Sequence, residues 1–291
     1  MSNYSILTKT FAGDMEMFLG LCKSIDEHMP HVKHHVLVDQ SDLLLFKKFE
    51  KKNRIVHNSD SLFPEFHGFS VLGRRFWWRA PWYLVRGWIF QQLVKLKFAA
   101  TLNSECVVMA DSDAIFLRAI EQRDLFLGDS PRMYAYPGRG GSAELSKWHD
   151  VAARAFGIEA VGYGGFDYIL PVLVWHPATV ARMLASIDEA NSSGWVKTLI
   201  GNYRFSEFIL YGVYNDRVIS EAERMIARSP RELCHCSWHY DLDEEDDIGR
   251  FVSDLKAEHA AIVVQSNLRL DPAKRSAIVK RLFDRYTSLE N

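Results

Sequence analysis

Four cysteines in 291 residues are too few for a disulfide framework, so a reducing, cytosolic setting is the expectation. No stretch approaches the ~18–20 consecutive apolar residues that span a bilayer. The first residues, Met1-Ser2-Asn3-Tyr4, run straight into an apolar strand, so no signal peptide is expected. An excess of one charge is also missing. The chain has 35 Lys+Arg against 37 Asp+Glu, and its net −2 gives no global attraction to nucleic acid or anionic lipid. There is no internal repeat and no low-complexity linker. What is present is apolar: 48% hydrophobic residues bury a core without staples, which excludes disorder and small disulfide scaffolds.

The first 120 residues alternate strand and helix. Strands are expected at Tyr4–Thr8, His34–Asp39, Arg54–His57 and Cys106–Ala110, with helices near Asp14–Glu27, Leu43–Glu50 and Arg86–Ala100. Such alternation predicts an α/β fold, a mostly parallel twisted sheet flanked by helices. The second half reads as mixed. It has a strand at Arg132–Tyr136, a Gly-rich loop at Pro137–Ser142, a helix at Glu144–Phe156 and a strand at Tyr168–Trp175. A helix opened by Pro177 follows, then a solvated acidic loop at Asp241–Asp247, a strand at Ala261–Val264 and a helix at Asp271–Tyr286. One continuous domain is expected, with residues 1–120 as a ligand-binding βα half and 121–291 as the other half.

The sharpest signal is Val107-Val108-Met109-Ala110-Asp111-Ser112-Asp113-Ala114-Ile115-Phe116. Ligands of parallel sheets collect at the carboxyl ends of strands, and this pair sits at one of them. Two carboxylates at i and i+2 converge on one divalent cation, Mn²⁺ or Mg²⁺, with diphosphate oxygens completing the shell. The plain alternative is a turn, which Asp and Ser favour. Cys234-His235-Cys236-Ser237-Trp238-His239-Tyr240 offers a further ligand, His239 or His235, with His239 preferred between its aromatic neighbours. A soft zinc site on Cys234 and Cys236, or ordinary packing, are the other readings of that segment.

Together these features resemble sugar-nucleotide-dependent glycosyltransferases of the A-type fold (GT-A), above all bacterial transferases that build surface polysaccharide or lipopolysaccharide. The segments that carry the resemblance are SILTKTFAGD, HHVLVDQSD, GWIFQQLVKLKFA, VVMADSDAIF, FDYILPVLVW, FSEFILYGVY and CSWHY. Only VVMADSDAIF is specific alone; the others gain weight from their order. The resemblance implies that Asp113 and Asp111 hold Mn²⁺ or Mg²⁺ against a donor diphosphate, with Ser112 beside it. It also implies that Thr8, Lys9, Thr10 and Asp39 line the nucleoside pocket. A Lys at a strand mouth suits phosphate and an Asp suits a ribose hydroxyl, although plain surface polarity explains each alone.

Gln91, Gln92 and Lys95 share a helix face that either meets the diphosphate or is a solvated stripe. Glu207, behind Ser206, is either the base of an inverting transfer or a helix-entry acid. Asp167, after Gly164-Gly165-Phe166, suits sugar binding or a turn. Arg74–Trp88 holds four of the eight tryptophans among arginines. It is read as an acceptor or membrane contact at the inner face of the cell membrane, or as packing beneath the sheet; the neutral chain argues against nucleic acid.

The Gly-rich loop lacks the ending of a P-loop and reads as an acceptor-side loop. The expected activity is transfer of a hexose-type sugar from a UDP-linked donor to a saccharide or glycolipid acceptor. Two rivals remain. One is a haloacid-dehalogenase-type phosphatase using Asp111 and Asp113, although that motif usually lies near the N-terminus. The other is a non-catalytic carbohydrate-binding protein of the same fold.

Overall fold

The computed structural model describes residues 4–72, 74–80, 83–138, 142–202 and 204–290. Its first strand β1 (Tyr4–Lys9) leads into helix α1 (Met15–His28), followed by β2 (Lys33–Val38), α2 (Leu43–Lys47) and β3 (Arg54–Asn58). A three-stranded antiparallel sheet comes next: β4 (His67–Val71), β5 (Arg74–Arg79) and β6 (Tyr83–Arg86). Helix α3 (Gly87–Ala99) then returns the chain to β7 (Cys106–Ala110), and β8 (Ala114–Phe116) follows the DSD turn.

In the second half the principal elements are α4 (Ala143–Ala155), β9 (Val172–Trp175), α5 (Pro177–Ala190) and α6 (Glu207–Val213). They are followed by β10 (Cys234–Cys236), α7 (Glu245–Ser253), β11 (Ala261–Val263) and α8 (Pro272–Glu290).

The central sheet has the order β9-β7-β1-β2-β3. Strands β7, β1, β2 and β3 are parallel, with Ile6 beside both Val108 and His34. Only β9 runs antiparallel, against β7. This is the mostly parallel α/β sheet that the sequence predicts. All five residues of β7 are buried, as a strand covered on both faces must be, so its apolar run shows no alternation. The largest core cluster runs from Ile6 to Val263 and takes in Trp175, Phe205 and Tyr211. A second sheet, β10-β11-β8, stitches the C-terminal segment to the strand that follows the DSD turn.

Three segments differ from the sequence reading. The acidic run is not wholly a loop: Glu245, Asp246 and Asp247 form the first turn of α7, where carboxylates favour the positive end of the helix dipole. Ile248 and Phe251 bury the other face of that helix. The strand read at Tyr168–Trp175 is confined to β9, while Phe166–Asp167 pairs separately with Tyr136–Pro137. Finally, Arg74–Trp88 is mostly sheet. Within the Gly-rich loop, residues 139–141 lie outside the described residues, and Ser142 caps α4 by accepting the Leu145 N–H at 3.1 Å.

Candidate active site

From β1 the chain moves outward through β2 and β3, then returns to the other side of β1 to form β7. The crevice between the carboxyl ends of β1 and β7 is therefore the point where strand order reverses, the usual ligand position in such sheets. Lys9, Thr10, Phe11 and Asp14 leave the end of β1; Asp111, Ser112 and Asp113 leave the end of β7. A hydrogen bond donated by Ser112 Oγ to Asp14 Oδ2, at 2.9 Å, ties the two strand ends together.

Asp111 thus acts on the carboxyls of both Asp14 and Asp113. Asp113 accepts the Ser266 N–H at 2.9 Å, yet its carboxyl is pushed up to about 6, by burial first and then by Asp111 and Asp14. The carboxyl of Asp14 is also raised, by burial chiefly, with Asp111 adding and the Ser112 hydroxyl opposing. Arg275 lies close to Asp113, but its guanidinium donates to the Val264 and Gln265 carbonyls. Among the described residues no ion pair reaches Asp113.

Behind this turn lies a buried charge cluster. Lys95 projects from α3 and donates to Asp111 Oδ1 at 3.1 Å and to Glu207 Oε1 at 3.2 Å. Burial alone would lower its pKa, but the two carboxylates outweigh burial and hold the ammonium charged. Ser206 caps α6, placing Glu207 in the first helical turn, and the Glu207 N–H donates to Gln92 Oε1 at 3.0 Å. Gln92 and Lys95 are thus buried and partnered rather than a solvated stripe. The Glu207 carboxyl is raised, by burial first, with Lys95 opposing and Asp111 adding. Sequence separation hides this arrangement, since Lys95 and Glu207 lie 112 residues apart.

On the other side of β1, Asp39 is enclosed by cations. Lys9 Nζ donates to its Oδ1 at 2.7 Å, Ser59 Oγ to the same oxygen at 3.0 Å, and Arg75 to its Oδ2. Arg75 also bonds Asp42 at 2.7 Å. Burial would raise the Asp39 carboxyl, but Lys9 and Arg75 hold it below the usual carboxylate range. A cavity of about 280 Å³ opens between this cluster and Asp14, with Thr10, Trp77, Trp88 and Gln91 in its walls. A second cavity, of about 600 Å³, shares Asp39, Arg75 and Trp77 with it and extends along β4.

Not every expected residue reaches the crevice. Thr8 is fully buried within the sheet with its hydroxyl 3.1 Å from His34 Nε2, so it serves strand packing, not a pocket wall. Asp167 is buried in its own loop, accepting the Ile169 N–H at 2.9 Å. His239 is exposed at the end of the turn Ser237–His239. His235 is buried, 2.6 Å from the Phe251 carbonyl and stacked on the Phe251 ring. Cys234 and Cys236 are both pushed up by burial, and among the described residues they belong to no group of three metal-ligating side chains.

Among the described residues no three His, Cys, Asp or Glu side chains are grouped to hold a metal ion. Asp111 and Asp113 are therefore a two-carboxylate arrangement. Such a pair of hard oxygen donors, crowded enough to raise Asp113, suits a Mg²⁺ or Mn²⁺ that takes its remaining ligands from water and phosphate. Asp14, Arg75 and Asp42 were not singled out by the sequence reading. An acid just after the first strand's end was the available signal for Asp14.

The model of a family of unknown function (DUF6492) matches residues 4–289. The chain belongs to that family. No curated protein matches it in sequence. Among solved structures it is similar to the galactosyltransferase LgtC in complex with donor and acceptor sugar analogues. That match has a TM-score of 0.51 and 13% identity, over 99% of this chain and 96% of that one. A structure of an active-site mutant of LgtC matches with a TM-score of 0.49 and 13% identity, over 95% of each chain. The fold is thus the A-type glycosyltransferase fold, as the resemblance implies.

Proposed function

We propose that this chain is a metal-dependent glycosyltransferase that moves a hexose-type sugar from a UDP-linked donor to a saccharide or lipid-linked saccharide acceptor. One observation carries the reading. In a GT-A fold, Asp14 and Asp111 press on the carboxyl of Asp113 where the ends of β1 and β7 meet, no ion pair reaches Asp113 among the described residues, and Asp14 also lines a cavity with Lys9, Arg75 and two tryptophans.

In this reading Asp111 and Asp113 hold Mn²⁺ or Mg²⁺, which offsets charge on the leaving diphosphate as a Lewis acid. Lys9 and Thr10 border the diphosphate path. Asp39, kept ionised by Lys9 and Arg75, accepts from a ribose hydroxyl or base N–H, and Trp88 offers an exposed ring for stacking. The Ser112 hydroxyl holds Asp14 toward the site, and Gln92 fixes the start of α6.

Glu207 is assigned as the proton acceptor of an inverting transfer, its raised carboxyl suiting general-base work and Lys95 orienting it. A second role, counter-ion to Lys95 that keeps Asp111 in place, is favoured by its side-chain exposure of only 6%. Glu207→Gln separates the two. As a base, turnover falls about a hundredfold or more with donor KM kept, a loss within the range of general-base catalysis. As a counter-ion, donor KM and the melting temperature move instead.

The reading is tested by UDP release from a panel of UDP-sugars with Mn²⁺ and oligosaccharide acceptors. Acceptor-stimulated release that is lost on chelation supports it. Hydrolysis of simple phosphate esters without any transfer would replace it with the phosphatase reading.

A further inference from the structure

The sheet β4-β5-β6 has one face too apolar for water. Strand pairing sets His67 opposite Trp78, Phe69 opposite Phe76 and Val71 opposite Arg74; Phe76 and Trp78 in turn lie opposite Arg86 and Leu84. Side chains alternate across a sheet, so these residues share one face. The other face carries Gly68, Arg75, Trp77 and Val85. Trp77 stacks on Phe90 of α3 at 4.2 Å, and Arg75 reaches Asp39, so that face belongs to the core and the cavity wall.

A half-covered antiparallel sheet normally turns polar residues outward. Here Phe69, Val71, Trp78 and Leu84 are outward and between 42% and 49% exposed. Leu72, at the tip of the β4–β5 hairpin, is 97% exposed and holds a positive φ of 48°, a turn position where a polar residue or glycine is usual.

Charge completes the pattern. The 22 residues from His67 to Trp88 contain four arginines and no Asp or Glu, within a chain of net −2. Arg75 is committed to Asp39 and Asp42. Arg74 and Arg86 flank the apolar face and are exposed; among the described residues neither forms an ion pair. Exposed aromatic and aliphatic side chains rimmed by unpaired arginines, with no acid among them, fit the boundary of an anionic bilayer.

We propose that the outer face of β4-β5-β6 docks on an anionic lipid surface, with the hairpin tip at Leu72 entering the headgroup layer and Arg74 and Arg86 meeting lipid phosphates. Arg75 and Trp77 of the inner face line both cavities, and the larger one also reaches His67, Phe69 and Phe76 of the outer face, so docking sets the candidate site beside the bilayer. The proposal stands on this surface alone and is independent of the transferase reading.

Co-sedimentation of the full chain with vesicles tests it. The two vesicle types are phosphatidylcholine alone and phosphatidylcholine with roughly 30% phosphatidylglycerol, as anionic headgroups set the surface potential. Binding is expected on the anionic vesicles, at least about tenfold weaker on the neutral ones, and reduced by raising salt from about 0.1 to about 0.5 M. Arg74→Gln with Arg86→Gln is expected to weaken it about 25-fold, at about fivefold per arginine. Trp78→Ser with Leu84→Ser is expected to weaken binding on both compositions, and circular dichroism checks that each variant is folded.

Wild-type protein that sediments with neither vesicle overturns the proposal, as does binding that both folded double variants retain. A stable dimer that Trp78→Ser dissociates, without vesicle binding, assigns the face to a second copy and also overturns it.

Discussion

Asp39 and Asp113 follow neighbouring parts of one sheet, at the ends of β2 and β7, with β1 between them. Asp39 is buried and Asp113 partly so, yet their electrostatic surroundings are opposite. Asp39 is met by Lys9, Arg75 and Ser59, and its carboxyl is held below the usual range. Asp113 receives one backbone N–H and faces Asp111 and Asp14, and its carboxyl is pushed up to about 6. Burial acts upward on both; the difference lies in what surrounds them. A buried carboxylate with matched cations keeps its charge and needs no further counter-ion. One crowded by other carboxylates leaves its charge uncompensated, which is what the proposed cation site rests on.

Cavity size alone would mislead. A space of about 1060 Å³ lies at the opposite end of the sheet, among Tyr4, Ser5, His35 and Gln122. It has no comparable crowding of carboxylates in its walls.

The largest test of this contrast removes a cation from a satisfied cluster. Lys95→Met leaves Glu207 and Asp111 without their shared ammonium, and breaking a buried pair in this way costs about 3–5 kcal/mol. Chemical denaturation measures the loss, and Lys95→Met combined with Glu207→Gln should recover part of it.

Next in size, Asp113→Asn is expected to lower turnover about a hundredfold or more, roughly 2.7 kcal/mol of transition-state stabilisation. Its thermal midpoint should hold or rise, because mutual carboxylate repulsion is relieved. A clear fall in the midpoint would place Asp113 among the satisfied acids.

Asp39→Asn should act oppositely, losing about 1–3 kcal/mol of stability because the Lys9 and Arg75 partnerships lose their charge. Denaturant midpoints of the two Asp→Asn variants, compared side by side, test the contrast directly.

The smallest effect concerns pH. His259 is buried, accepts the Lys256 N–H at 3.1 Å and stacks on His235; burial pushes it down to about 3. Its pKa in the unfolded chain is about 6.5. The unfolded chain therefore takes up a proton first as pH falls, and stability is lost progressively from about pH 6.5 downward. Asp113, with its raised carboxyl, works in the opposite sense below about pH 6. His259→Gln should flatten the slope of the melting temperature between about pH 7 and pH 5.

Much of this was legible in the sequence. The apolar run of β7 ending in Asp111-Ser112-Asp113 marks both the central strand and the site, because a strand buried on both faces has a distinctive pattern. Ser206 before Glu207 marks the start of α6. What escaped depends on partners distant in sequence. Lys95 reads as part of a face that meets either a diphosphate or solvent until Asp111 and Glu207 are brought to it, and Asp14 reads only as the start of a helix until Ser112 binds it. The strands β4, β5 and β6 were hidden because their outward residues are aromatic or aliphatic, not polar, which erases the alternation that announces a sheet.

The central claim is that Asp111 and Asp113 form a cation site that completes itself with a nucleoside diphosphate. Thermal unfolding with UDP, with and without Mn²⁺, tests it most directly. A ligand at about a hundred times its dissociation constant adds ~2.7 kcal/mol to the native state. The account predicts that UDP raises the midpoint only when Mn²⁺ is present, and that Asp113→Asn abolishes the shift. An equal shift without metal, or in the variant, would contradict it.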